Sequence, residues 1–264
     1  MTAVAAMTPE QHAGGQPGDV ETGWFVYGVV ESAAPAPDGL TGLDEGPVRT
    51  FECGRVAAVA TQIAVERPPG RGVELLAYHA VLDALAQGDR PVLPVRFGAV
   101  LPDEVAILEE FLVPDELYFA ELLESLRNRS QLMFQAVYDE QRILSEIVAG
   151  NPEIAELRAL TKDLPEEAAY GERVRLGELV ARAIEQQRER DAGLLLDEVL
   201  PFTDAHVLRP VSGVERVLDA AVLVHDERRT DFESRLEELA EEHHQRMRLR
   251  LMGPTAPYDF AGGV

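Results

Sequence analysis

The sequence has a single cysteine, a single lysine among 24 basic residues, and no long apolar run. One cysteine, Cys53, excludes a disulfide framework and a cysteine-built metal site. It fits a reducing, cytoplasmic compartment, and beside strand-forming residues it reads as a small buried hydrophobe. No stretch approaches the roughly 18 apolar residues that span a bilayer. The opening MTAVAAMTPEQHAGGQPGDVET lacks the basic start and apolar core of a signal peptide, so 1–22 reads as a flexible tail. Positive charge is scarce: 24 bases against 47 acids leave −23, which argues against nucleic acid or an anionic membrane as partner. Catalytic signatures are missing as well. PPGRG has glycines without the Lys and hydroxyl of a phosphate loop, and neither HExxH nor GxSxG occurs. His243 and His244 are neighbours, about 100° apart on a helix, and cannot chelate together. Carboxylates are so numerous that no acid–base pair stands out. No cofactor or metal site is expected.

What is present is patterned. WFVYGVV at 24–30 is rich in aromatic and β-branched residues and predicts a strand. VRTFE and RVAAVATQI predict a strand pair turning at Cys53 and Gly54. Leu75, Tyr78, His79, Leu82 and Leu85 recur at helical spacing, with Gly88 as the stop. RPVLPVRFGAV, 90–100, is a proline-punctuated strand, hence an edge or a bulge. Pro102 and Asp103 open a second helix, broken by Pro114, and 130–140 is again strand-like. These elements predict an antiparallel α+β domain of ferredoxin-like kind over 23–140. The texture over 141–264 is helical: two short helices, a long one entered at Pro165 with an apolar stripe suited to coiled-coil-like packing, two strands, a last helix and a short strand.

The chain ends on a Pro-aromatic stretch, GPTAPYDF at 253–260. Tyr258 and Phe260 are two apart and would share a face in an extended chain. They are expected to fold back onto the protein, because ordered aromatics gain more by burial than by fraying. Arg96, a charge among apolar neighbours, is expected to be paired.

The segment YHAVLDALAQGDRPVLPVRFGAVLPDE resembles the core of the gas vesicle protein F/L family, with its His-bearing helix (His79) leading into an L-P-x-R-F-G stretch: Leu93, Pro94, Arg96, Phe97 and Gly98. VYDEQRILSEI and AAVLVHDERRTDFESRLEEL resemble its later strand–helix passages. Gly253, Pro254, Pro257, Tyr258 and Phe260 match its closing Gly-Pro-x-x-Pro-Tyr-x-Phe. Two departures stand out. Thr255-Ala256 replaces a frequent Trp-Pro, and Gln131 stands where an acid is frequent.

The resemblance implies an α+β protein of two domains, a modified ferredoxin-like N-terminal one and a helix-rich C-terminal one with a coiled-coil-like helix pair. It implies an accessory or minor structural part in gas vesicle formation, located at the gas vesicle and in the cytoplasm, with no catalysis. The implied partners are the hydrophobic major shell protein and other gas vesicle accessory proteins. A chaperone-like role suits the net charge, which would keep a loaded complex soluble. A purely structural vesicle subunit is a second reading. An enzyme with a site around His79, Arg96 and Tyr258 is the alternative from another class. The shell-protein contact is expected on the N-terminal domain through its sheet edge, since the charged second domain is expected to offer less apolar surface.

Overall fold

The computed structural model describes residues 21–33, 36–86, 90–165 and 169–262. Nearly all of the proposed N-terminal tail, and Gly88, lie outside them. Strand β1 (Thr22–Glu31) is buried along almost its whole length because both of its faces are covered. Phe25, Tyr27 and Val30 enter the core under helix α1 (Gly72–Ala86). Trp24, Val26 and Val29 enter the core under α2 (Glu116–Leu126). A register shift between Val26 and Gly28 explains why the parity changes midway. Strands β2 (Val48–Cys53) and β3 (Val56–Ala64) form the expected hairpin. Its turn needs Gly54, whose φ is +55° and whose missing Cβ leaves room for the Glu116 carboxylate, which accepts from the Arg55 amide at 2.9 Å. Gly54→Ala is expected to cost about 1–2 kcal/mol, read as a lower midpoint in denaturant. Gly177→Ala, mid-helix with open space at the Cβ position, should instead raise the midpoint slightly.

The proline-punctuated stretch is an edge interrupted by a bulge. β4 (Val92–Pro94) and β5 (Val100–Leu101) both pair with β1, and the residues between them loop out. Pro114 does end a helical segment, but the preceding turn, Ala106–Leu112, is π-helical, its wide pitch closed by Val113 N–H donating to Leu108 at 2.9 Å.

Strand β6 (Arg129–Tyr138), grouped by sequence with residues 23–140, pairs with β8 (Arg216–His225) and β9 (Met247–Thr255) in a second antiparallel sheet. Its apolar alternation gave no sign of which sheet it joins. The long helix α5 (Tyr170–Val199) starts after Pro165 rather than at it. In its first turn Arg173 donates to the Thr161 and Leu164 carbonyls. Helices α3 (Glu140–Gly150), α4 (Pro152–Thr161), α5 and α6 (Arg229–His243) pack together, and α3, α5 and α6 cover one face of this sheet.

The two sheets share one topology. Their orders are β2-β3-β1-β4 and, with the short edge strand β7 (Ala205–Leu208), β7-β8-β6-β9. In each, the first strand is central, the next two form a hairpin, and a helix returns the chain to the opposite edge. This is the split βαββαβ arrangement. In the first sheet a loop replaces the first helix, and in the second three helices fill that position. The two halves join through a shared core, where Leu223 of β8 is buried with Phe119 and Leu123 of α2.

Candidate functional site: the tail clasp and the open face of α1

Three of the motif residues, His79, Phe97 and Tyr258, meet at Tyr78. Its ring is buried under α1, and its hydroxyl donates to the Val95 carbonyl at 2.5 Å, with burial pushing its pKa up to about 12. Val95 N–H donates to Tyr27 and Val26 N–H donates to Ala99, so Arg96, Phe97 and Gly98 bulge out of the edge strand. Gly98 takes φ +95° at the turn. The bulge swings Phe97 into edge contacts with Phe25 (5.7 Å) and Tyr78 (5.3 Å). Arg96 points the other way. It is exposed, and among the described residues its side chain has neither hydrogen bond nor ion pair. The expected pairing fails because the turn carries the charge into water, where it needs no partner.

From the opposite end of the chain, Tyr258 reaches the same place. Its hydroxyl is 2.6 Å from His79 Nδ1 and its ring lies 6.4 Å from that of Tyr78. Burial raises the Tyr258 pKa, keeping the hydroxyl protonated and able to donate. The tail therefore folds back as expected, but its two aromatics do not share a face. Residues 258–260 form a turn, so Tyr258 packs in the core under α1 while Phe260 and Ala261 enter the core under α2. The tail clasps both layers of the first half.

Gln131 locks this clasp. It is buried, its amide donates to Asp259 Oδ2 at 2.9 Å, and its carbonyl oxygen accepts from the Asp259 N–H at 3.1 Å. Asp259 also pairs with Arg209 at 2.7 Å. The neutral amide at 131 has a physical reason, since a carboxylate there would confront Asp259. Ala256 is fully buried, so the small residue is a packing choice. Sequence reading missed Gln131, Asp259 and Arg209 as one unit because more than 120 residues separate Gln131 from the tail.

His79 and Tyr258 touch, whereas Arg96 makes no bond to either. Among the described residues, no group of three His, Cys, Asp or Glu side chains could hold a metal ion, and no helix is long and apolar enough to cross a membrane. A cleft of about 530 Å³ lies between the halves, lined by Asp83, Arg90, Arg129, Gln131 and Arg229 among others.

The outer face of α1 is unusual. GVELLAYHAVLDALA is apolar apart from Glu74, Tyr78, His79 and Asp83, so apolar residues fall on its outer side as well as its inner one. Here Val73 is 71% and Leu76 70% exposed, with Leu75 and Ala80 open beside them. Large apolar side chains are also exposed at Leu160, Leu164, Tyr170 and Val174 around the α4–α5 connection. The second half thus also offers exposed apolar side chains, where less apolar surface was expected.

The model of the family described as gas vesicle synthesis protein GvpL/GvpF matches residues 23–262. The chain belongs to this family. It is similar to gas vesicle protein F of Streptomyces sp. (strain CB03234), with 31% identity over 89% of this chain and 98% of that one. Gas vesicle protein F of Dolichospermum flosaquae is 23% identical over 90% and 96%. The crystal structure of GvpF from Anabaena sp. PCC7120 superposes with a TM-score of 0.76 at 24% identity, covering 91% of this chain and 98% of that one. That of GvpF from Microcystis aeruginosa gives 0.73 at 23%, covering 90% and 98%. These likenesses show the fold, and the family gives the chain an accessory role in the gas vesicle system.

Proposed function

We propose that this family member is a chaperone-like assembly factor that binds the hydrophobic major shell protein in the cytoplasm and delivers it to the growing vesicle, together with other accessory proteins. The observation that carries this is the α1 face: a largely apolar helix with Val73 and Leu76 left in water suits an apolar partner. Of the two edges of the first sheet, the bulged, three-residue β4 is the poorer template for strand addition. The two halves, divided near 127–128, carry different parts of this role: α1 in the first is the binding face, and the α4–α5 pair in the second packs in coiled-coil fashion. The net charge of −23 holds the complex in solution.

Co-expression with the shell protein and co-purification through a tag on this chain tests the proposal. Leu76→Glu should reduce recovered shell protein by about tenfold or more, while its melting temperature stays near the parent because surface substitutions alter stability by only about 0.5 kcal/mol. Undiminished recovery with Leu76→Glu would contradict it.

A further inference from the structure

The first sheet carries a helix on each face, and α2, like α1, leaves apolar side chains in water. Its inner side, Phe119, Ala120, Leu123 and Leu126, is buried against the sheet. Its outer side sets Leu117, Glu121 and Glu124 at helical spacing, with Tyr118 beside them. Leu117 is 69% and Tyr118 48% exposed, and Val113, four residues before Leu117, is open as well. The Tyr118 ring is held in place all the same. It lies 6.0 Å from that of Phe119, and its hydroxyl fills the space beside Gly262, 2.6 Å from where a Cβ would stand. The helix also runs through charge of one sign: residues 97–126 hold eight acids and no Lys, Arg or His.

We propose that the outer side of α2 docks a basic amphipathic polypeptide segment of a partner protein. Its apolar side chains rest on Leu117 and Tyr118, and its Lys or Arg side chains on the carboxylates around them. Apolar exposure picks the place, and charge picks the occupant. The other exposed apolar areas lie among charges of both signs: Arg71 and Asp83 at α1, and Arg158, Lys162 and Asp163 at the α4–α5 connection. Around α2, arginines reach only the margins. Arg49 pairs with Glu104 and Arg127 with Glu124, each at 2.9 Å, and Glu116 accepts from the Arg55 amide. Glu109, Glu110, Asp115 and Glu121 are exposed, and among the described residues their side chains have neither hydrogen bond nor ion pair. Free carboxylates are ordinary in a chain of net charge −23. These matter because Asp115 and Glu121 bracket Leu117 and Glu109 and Glu110 precede Val113, so a segment covering the apolar residues meets them. A nucleic acid or an anionic membrane would be repelled, and a second copy of the chain would set acid on acid. A basic segment gains from the carboxylates at short range and from the net charge at long range. A held aromatic beside an exposed leucine supplies the apolar anchor that such contacts need. Since α1 and α2 lie on opposite faces of the first sheet, this surface is separate from the proposed shell-protein face.

The test uses the full chain and a fluorescein-labelled helical peptide with Lys on one face and Leu on the other, read by anisotropy at low and raised salt. Leu117→Ser with Tyr118→Ser should weaken binding by about tenfold or more. Glu109→Gln, Glu110→Gln and Glu121→Gln together should weaken it by about threefold or more and flatten its salt dependence. Asp231→Asn, Glu237→Gln and Glu241→Gln remove the same charge from exposed positions on α6 and should change it by less than about twofold. Leu76→Ser on α1 should change nothing. Should the double serine variant melt well below the parent, Leu117→Ala alone should still weaken binding by about threefold. No binding by the parent, or undiminished binding by the Leu117 variants, overturns the proposal. So does an equal loss from the α6 triple variant, which would make the attraction one of overall charge. A loss from Leu76→Ser would place the peptide on α1 and overturn it too. A parent dimer in sedimentation that Leu117→Ser with Tyr118→Ser abolishes would assign the face to a second copy of the chain and likewise overturn it.

Discussion

Replacing both Tyr258 and Phe260 by Ala is expected to lower the melting temperature of the isolated protein by roughly 8–16 °C. The two rings are half-buried in cores on opposite layers of the first sheet. Truncating a fully buried aromatic costs about 3–5 kcal/mol, so two half-buried ones cost about 4 kcal/mol together. For a chain of this size each kcal/mol moves the midpoint by about 2–4 °C. Pro254 and Pro257 restrict the unfolded tail and reduce the entropy lost on docking. Tyr258→Phe separates the ring from the hydroxyl: it should lose only about 1 kcal/mol, the worth of the His79 hydrogen bond. A double Ala variant that melts with the parent while losing shell-protein capture would make the tail a recognition element instead of a clasp.

Asp191→Ala should be nearly as costly, about 3–4 kcal/mol, or a drop of some 6–16 °C. Asp191 is buried mid-way along α5. It accepts from Tyr138, pairs with Arg246 at 2.8 Å and accepts from Gln187 at 3.2 Å. The Arg246 guanidinium lies over the Tyr138 ring at 5.4 Å and also pairs with Glu146. This network ties α5 and α3 to the central and edge strands β6 and β9. Removing the carboxylate leaves a hydroxyl and a half-compensated cation facing a low-dielectric interior. Burial alone would push the Asp191 carboxyl up, but Arg246, Tyr138 and Gln187 outweigh it and hold the pKa below the usual carboxylate range. A depressed folded pKa gives stability that is complete above the unfolded value and is lost as pH falls through the folded one. Parent and Asp191→Ala should therefore differ fully at neutral pH and converge in acid, below about pH 4. A constant difference across that range would show that Asp191 acts by packing and not by charge.

The strands and helices were legible because their periods are written locally. WFVYGVV is rich in aromatic and β-branched residues, and Leu75 to Leu85 repeats at helical spacing. Which sheet a strand joins is not local. β6 carries the same alternation whether it closes the first sheet or centres the second, and only pairing with β8 and β9 decides. The motif positions were legible as a set, but their geometry was not. The bulge that turns Phe97 inward and Arg96 outward depends on a three-residue excursion that composition does not encode. Gln131 and Asp259 complement each other in a way visible only once the tail is folded back. Exposure of α1 was the least legible feature: helical spacing puts Leu75 on the apolar stripe, yet Leu75 stands in water with Val73 and Leu76.

A photo-crosslinking amino acid placed at position 76, with a control at position 160 on α4, tests partner binding through α1 most directly. After co-expression with the shell protein and irradiation, position 76 should give a covalent adduct with the shell protein and position 160 should not. An adduct from position 160 alone, or from neither, would contradict binding through α1.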